Sequence, residues 1–275
     1  MLIDTHCHLD AAEFGAVGDA ERDAVVADAQ AAGVGLLVLP AVEVGSFAAV
    51  ADCCRRYPEA VPAYGIHPMY APRAAEADLA TLRHWLEREL AGPRPPVAVG
   101  EIGLDLFQPE LQAGEGLARQ EHFFVEQLKI ARDFNLPVLL HVRRAIDPVL
   151  KQLRRIAVPG GIAHAFNGSR QQAEEFLKLG FKLGFGGTLS YSGSSRIRGL
   201  AAELPEDALV LETDAPDIRP AFAPDTPNQP QYLAAFAATL AKLRGTTPAA
   251  VAAFTSANAR AVLPGLAAYC KLPPP

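Results

Sequence analysis

Short apolar runs bounded by glycine or proline recur along the whole chain, and between them lie longer segments whose apolar residues fall three or four positions apart. The runs predict strands over Leu2 to His8, Val34 to Ala41, Val61 to Ile66, Val97 to Ile102, Pro137 to Val142, Gly161 to Ala165, Phe181 to Gly186 and Ala208 to Asp214. Leu79, Leu82 and Leu86, and farther on Leu117, Phe124, Leu128 and Ala131, trace the single stripes by which a helix covers a sheet. Such alternation produces buried parallel strands joined by helical crossovers, and a set of eight favours an α/β fold closed into one (β/α)8 TIM barrel over an open doubly wound sheet. A dinucleotide-binding sheet lacks its fingerprint, because no Gly-x-Gly-x-x-Gly follows the first strand. Pro216 to Pro230 is proline-rich and reads as a loop, with closing helices over Gln231 to Leu243 and Pro248 to Leu263. With 275 residues, half of them hydrophobic, one barrel over residues 1–265 uses the chain, leaving a C-terminal tail over 266–275 that ends in Lys-Leu-Pro-Pro-Pro.

Charge and cysteine content narrow the function. The formal net charge is −6 and the basic residues are scattered among acids, so no broad phosphate-tracking surface is expected and a nucleic acid would be gripped locally. Cys7, Cys53, Cys54 and Cys270 show neither zinc-knuckle nor CxxC spacing, and the first segment lacks the basic and apolar regions of a secretory signal. No apolar run approaches the roughly 20 residues that span a bilayer. These features predict a reduced, cytoplasmic protein with no membrane partner, and a monomer is expected.

The histidines and acids carry the chemistry. His6, His8, Glu101, His141, His164 and Asp214 stand at or just past the C-terminal ends of the first, fourth, fifth, sixth and eighth predicted strands, in Ile-Asp-Thr-His-Cys-His, Val-Gly-Glu-Ile-Gly-Leu-Asp, Leu-Leu-His-Val-Arg, Ile-Ala-His-Ala-Phe and Leu-Glu-Thr-Asp-Ala-Pro. In a barrel those ends meet at one mouth. His6 and His8, two apart on an extended segment, project to one side, while Cys7 turns away as an inert buried thiol. A lone histidine at a strand end is ordinarily a hydrogen-bonded structural residue; six candidate ligands at one rim are not so explained. Imidazole and carboxylate donors suit zinc, manganese or, less readily, magnesium, and six exceed what one tetrahedral ion uses, so two divalent ions are expected. Glu101 is expected to bridge them, with His6, His8 and Asp214 at one ion and His141 and His164 at the other.

Such a centre acidifies water for hydrolysis, with Asp214 the candidate general base. Two divalent cations against Glu101, Asp214 and one hydroxide leave a net charge of about +1, which attracts an anion such as phosphate. Arg143 should share the side of His141 and could clamp a phosphate, or else pair with Asp105 or Glu212. His67, in Gly-Ile-His-Pro after the third strand, contacts substrate or is a satisfied loop histidine. His84 and His122 lie within helical segments and read as surface residues.

Taken in order, Asp4-Thr5-His6-Cys7-His8, Gly65-Ile66-His67-Pro68, Gly100-Glu101-Ile102-Gly103-Leu104-Asp105, Pro137-Val138-Leu139-Leu140-His141, His164-Ala165-Phe166-Asn167-Gly168, Glu212-Thr213-Asp214-Ala215-Pro216, Pro227-Asn228-Gln229-Pro230 and Asn258 resemble the TatD family of metal-dependent deoxyribonucleases, a branch of the amidohydrolase-like barrels. The resemblance covers nearly the whole chain. It implies that His6, His8, Glu101, His141, His164 and Asp214 bind divalent metal, and that the chain cleaves DNA or another phosphoester, typically as an exonuclease. Leu106 and Phe107 stand where many members have aromatic residues, and the acid Asp217 follows Asp-Ala-Pro, which together look more like the YjjV-type subgroup. The alternative is a small-molecule amidase, lactonase or deacylase on the same barrel, whose relatives often bridge their metals with a carboxylated lysine where this chain has Glu101. A non-catalytic binding protein would need a damaged ligand set, and every ligand is present.

Overall fold

A computed structural model describes residues 1–270. Eight strands alternate with helices: β1 (Leu2–Asp4), α1 (Ala20–Ala31), β2 (Val34–Pro40), α2 (Phe47–Arg56), β3 (Ala60–Ala63), α3 (Ala77–Leu90), β4 (Val99–Asp105), α4 (Gly114–Asp133), β5 (Val138–Arg143), α5 (Ile146–Arg155), β6 (Gly161–Ala163), α6 (Arg170–Lys178), β7 (Phe181–Phe185), α7 (Ser195–Glu203) and β8 (Leu209–Leu211), followed by α8 (Leu233–Arg244) and α9 (Pro248–Val262). The strands form a three-stranded arc β1-β2-β3 and a five-stranded arc β4-β5-β6-β7-β8, with parallel pairing throughout. Parallel bridges join Tyr64 to Val99 and Cys7 to Ala215, so the two arcs close into the predicted (β/α)8 TIM barrel.

Alternation along the strands divides the core in two. Ile3, Leu36, Val38, Val61, Ala63, Leu139, Ile162 and Val210 form an inner cluster, while neighbours such as Leu37, Leu39, Val138 and Leu140 join the larger cluster beneath the helices. Ala259 and Val262 of α9, with Leu263, Leu266 and Tyr269, belong to the inner cluster. The boundary predicted at residues 265/266 is therefore not a packing boundary. A 3₁₀ turn over Pro264–Ala268 carries Leu266 inward, and the Tyr269 hydroxyl donates to Pro95 O at 2.7 Å. Residues 271–275 of the predicted tail lie outside the described residues. Among the described residues no helix is long and apolar enough to cross a membrane.

Several strands differ in length from the pattern that announces them. β4 runs on to Asp105 because Gly103, with φ of 149°, pairs closely with His141; a β-carbon there would lie 1.9 Å from His141 O. β1 and β8 stop early, at Asp4 and Leu211, beyond which the two segments stay joined by single backbone bonds such as Thr5 N to Leu211 O at 3.1 Å and by side-chain bonds from Asp4. The Pro216 to Pro230 segment is a loop, as expected, pinned where Asn228 Nδ2 donates to Thr213 O at 2.7 Å and Ile218 O at 3.2 Å.

Candidate metal centre

The first and last strands are locked together at the rim by a buried carboxylate. Asp4 Oδ1 accepts the backbone N–H groups of His6 at 3.2 Å and Thr213 at 2.9 Å, and Oδ2 takes the Thr213 hydroxyl at 2.5 Å. Burial pushes the Asp4 carboxyl up to about 8, against these hydrogen bonds, which favour its charge. Beyond this clamp Asp214 N donates to His6 O at 2.8 Å, and Asp214 adopts a left-handed backbone with φ of 59°. For a residue other than glycine that conformation costs about 1–3 kcal/mol and persists only where the surroundings impose it.

Four donor atoms converge above the clamp. His6 Nε2 and His8 Nε2 lie 3.2 Å apart; Glu101 Oε2 is 3.2 Å from the first and 3.7 Å from the second, and Asp214 Oδ1 is 3.6 Å from each. Around a tetrahedral ion with bonds of about 2.1 Å, donors stand roughly 3.4 Å apart. The residues present therefore fit a divalent cation, as does the pairing of two imidazole nitrogens face to face among carboxylates. His6 and His8 reach this position from irregular backbone past β1, not from the strand on which their shared direction was expected.

The other carboxylate oxygen serves a second group. Glu101 Oε1 is 3.0 Å from His141 Nδ1 and 3.6 Å from His67 Nε2, while the opposite nitrogen of His141, Nε2, meets Asp105 Oδ2 at 3.0 Å. Asp105 is itself held, its Oδ1 accepting N–H groups from Phe107 at 2.7 Å and Gln108 at 3.2 Å. A carboxylate behind a histidine fixes the ring and frees the other nitrogen for a ligand role. His67 differs, because Met69 N donates to its Nδ1 at 3.2 Å. Its proton must then sit on Nε2, making the side chain a hydrogen-bond donor toward the centre.

The expected second pair, His141 with His164, is not brought together in this way. Three sets have donor atoms mutually within 4.8 Å: His6, Glu101 and His164; His6, His8 and Asp214; and His67, Glu101 and His141. His164 stacks on His6 with ring centroids 3.8 Å apart, directs Nε2 to Asp214 Oδ2 at 3.5 Å and lies with Nδ1 3.0 Å from Glu212 Oε1. Glu212 Oε1 also accepts Ala165 N at 2.6 Å. The carboxylate that holds His164, like Asp105 behind His141, has no periodic signal of its own in the sequence.

Electrostatics agree with a cation-binding cluster. Burial raises the cost of charge on Glu101, yet His6 and His67 with the His141 hydrogen bond hold its carboxyl well below the usual range; Asp214 is likewise held down, mainly by His164. Burial opposes the charging of His164 and His141, but Glu212 and Asp214 lift the first and Asp105 and Glu101 lift the second. Burial, with His141 beside it, pushes His67 down to about 3. Ligand nitrogens must be unprotonated, so a cation entering here would displace protons from His141 and His164.

The cluster opens into a groove of about 1270 Å³ lined by His8, His67, Glu101, His141, His164 and Asp214 at its floor. Arg143, also on the groove, is exposed and forms no ion pair with Asp105 or Glu212; its guanidinium lies 3.7 Å from the Phe107 ring centroid. His84 and His122 are on the outer surface, near Glu87 and Glu76 respectively. Cys7 is fully buried, its Sγ 3.8 Å from Ala215 O.

The chain matches the family described as TatD related DNase over residues 3–264. It is 42% identical over 244 residues to the metal-dependent hydrolase YjjV of Escherichia coli K12, covering 88% of this chain and 90% of that protein. It is 35% identical over 253 residues to the 3'-5' ssDNA/RNA exonuclease TatD of Cronobacter sakazakii, covering 88% and 91% of the two chains. The crystal structure of Escherichia coli YjjV superposes with a TM-score of 0.88 at 38% identity, covering 96% of this chain and 98% of that one.

Proposed function

This chain belongs to the family of TatD related DNases and is a metal-dependent hydrolase of that family, and from that premise we propose that it cleaves phosphodiester bonds at the ends of nucleic acid strands, DNA first. The observation that carries the reading is the division of Glu101, with Oε2 beside His6 and His8 and Oε1 beside His141. A carboxylate so divided suits a bridge between two divalent ions of zinc, manganese or magnesium. When bound, those ions supply Lewis acidity that makes water a nucleophile near neutral pH and offsets charge on the attacked group.

The protein's own groups do the rest. His6, His8 and Asp214 hold one side of the centre and His141 the other, with His164 bordering it through Asp214. Asp214 accepts the proton of the attacking water and returns it to the leaving oxygen, and His164 Nε2, 3.5 Å from Asp214 Oδ2, steadies the carboxylate during the exchange. His67 presents its Nε2 proton to a substrate oxygen, and Arg143 offers a planar guanidinium to a phosphate. The thiols of Cys7, Cys53 and Cys54, all buried, fit the reducing cytoplasm as the place of work.

A second reading, hydrolysis of a small ester, lactone or amide, is favoured by the carboxylates Asp10, Glu13 and Asp217 along the groove, which repel a polyanion. The test is a screen of metal-loaded protein against single-stranded DNA and RNA oligonucleotides, nucleotide esters, lactones and amides, with a chelated control. Release of mononucleotides that chelation abolishes supports the nuclease reading; turnover confined to lactones or amides supports the second.

A further inference from the structure

The groove is charged differently on its two sides, and the sides are set by the strand order. Asp10 and Glu13 stand on the loop after β1 and Asp217 on the loop after β8, whereas Phe107 follows β4, Arg143 ends β5 and Arg144 comes next; Arg196, on α7 after β7, also lines the groove and donates to Asn167 Oδ1 at 2.5 Å. In a ring closed between β3 and β4 and between β8 and β1, the β8–β1 side lies diametrically across from β4–β5. The metal-binding cluster lies between them.

Neither side is a loose fringe. Arg22, buried, donates to Ala11 O at 2.8 Å, to Asp10 O at 3.3 Å and to Gly15 O, fixing the loop that carries Asp10 and Glu13. The loop bearing Asp217 is tied down by Asn228 and by Tyr191, whose hydroxyl donates to Arg219 O at 2.8 Å. Opposite, the Arg143 and Arg144 guanidinium groups lie 3.7 Å and 4.7 Å from the Phe107 ring centroid, and among the described residues neither is within ion-pair distance of a carboxylate. Asp147 on that side accepts a hydrogen bond from Gln172 Nε2 at 2.9 Å.

A strand threading the groove from side to side would set phosphates against Asp10, Glu13 and Asp217, and like charges repel strongly where water is partly excluded. We propose that this division reads the strand end: the continuing phosphates run over Phe107, Arg143 and Arg144, and the terminal nucleoside, which leaves with the scissile phosphate as a mononucleotide, sits beside Asp10, Glu13 and Asp217, where it is accepted only without a further phosphate on its outer hydroxyl. The oxygen of water bonds to phosphorus as the P–O bond to the continuing strand breaks, and the oxygen of that strand takes the proton. The inference rests on the phosphodiesterase reading above and adds a requirement to it. An internal bond would need phosphates on both sides, so the same division excludes endonucleolytic cutting.

The test uses the metal-loaded full chain at low salt with a short oligothymidylate bearing hydroxyls at both ends, its 3'-phosphorylated and 5'-phosphorylated forms, and bis(4-nitrophenyl) phosphate as an end-free phosphodiester. A phosphate at one end should slow release from that end on the order of tenfold. In the Glu13→Gln, Asp217→Asn double variant that ratio, taken against the same variant's rate on the unphosphorylated strand, should fall toward one. Equal rates for all three strands, or a ratio unchanged in the double variant, overturn the division while leaving the nuclease reading intact. Hydrolysis of bis(4-nitrophenyl) phosphate with every strand untouched also overturns it, and inertness toward all four substrates removes the phosphodiesterase reading together with it.

Discussion

Gly184 and Glu212 occupy one space: a β-carbon on residue 184 would sit 2.1 Å from Oε2 of the Glu212 carboxylate. That carboxylate supports His164 and receives Ala165 N, so a glycine on β7 gives the candidate metal centre room for one of its supports.

Gly184→Ala should therefore displace Glu212, lowering stability by about 1–3 kcal/mol through overpacking and weakening metal binding through His164. Gly199 in α7 is the contrast, since a β-carbon there would meet no neighbouring heavy atom within 4 Å. Gly199→Ala should stabilise by up to about 1 kcal/mol. Thermal unfolding of the two variants beside the parent checks both signs; a neutral Gly184→Ala would contradict the crowding.

Asp105→Asn removes the charge behind His141 while keeping an oxygen for Phe107 N and Gln108 N. Metal affinity or activity should drop by about 10–100-fold with the circular dichroism spectrum unchanged. Titration with zinc or manganese, followed calorimetrically, measures the change.

Asp214→Ala removes a proposed ligand and the proposed proton acceptor together, and turnover should fall by about 10²–10⁴-fold in a protein that remains folded. Chelation of the parent should lower the unfolding temperature, because a ligand at a hundred times its dissociation constant stabilises by about 2.7 kcal/mol. The same chelator should leave the melting of Asp214→Ala nearly unmoved.

Cysteine reactivity should divide by burial. Burial pushes the Cys53 thiol up to about 11 and raises Cys7 and Cys54 well above the ordinary range, whereas Cys270 is exposed. A thiol reagent at neutral pH should titrate one cysteine in the folded protein and four after denaturation. Rapid reaction of a second thiol in the native state would show that one of the buried three is reachable.

Much of this architecture was legible because each strand announces itself as an apolar run and each candidate ligand falls beside one. The rim was legible only in outline. Extending the first strand through His8 and the last through Asp214 follows from composition, but Asp4 takes the N–H group of His6, two positions away, and that of Thr213, 209 positions away, and the regular strands end beside these contacts. Stopping the fourth strand at Ile102 treats Gly103 as a break, when it is the residue that allows close pairing with His141. The partnership of His67 with Glu101, and the roles of Asp105 and Glu212 behind two histidines, depend on side-chain directions that periodicity does not encode.

The closing of β8 against β1 ties chemistry to completion of the chain. His6 and His8 leave the ribosome early, but Asp214 and its neighbours Thr213 and Asn228 follow some two hundred residues behind. A polypeptide that stops short of them lacks the Asp214 carboxylate of the candidate centre and the Thr213 contacts to Asp4 that join the two ends of the ring. The candidate centre is therefore assembled only when the end of the last strand has closed on the end of the first.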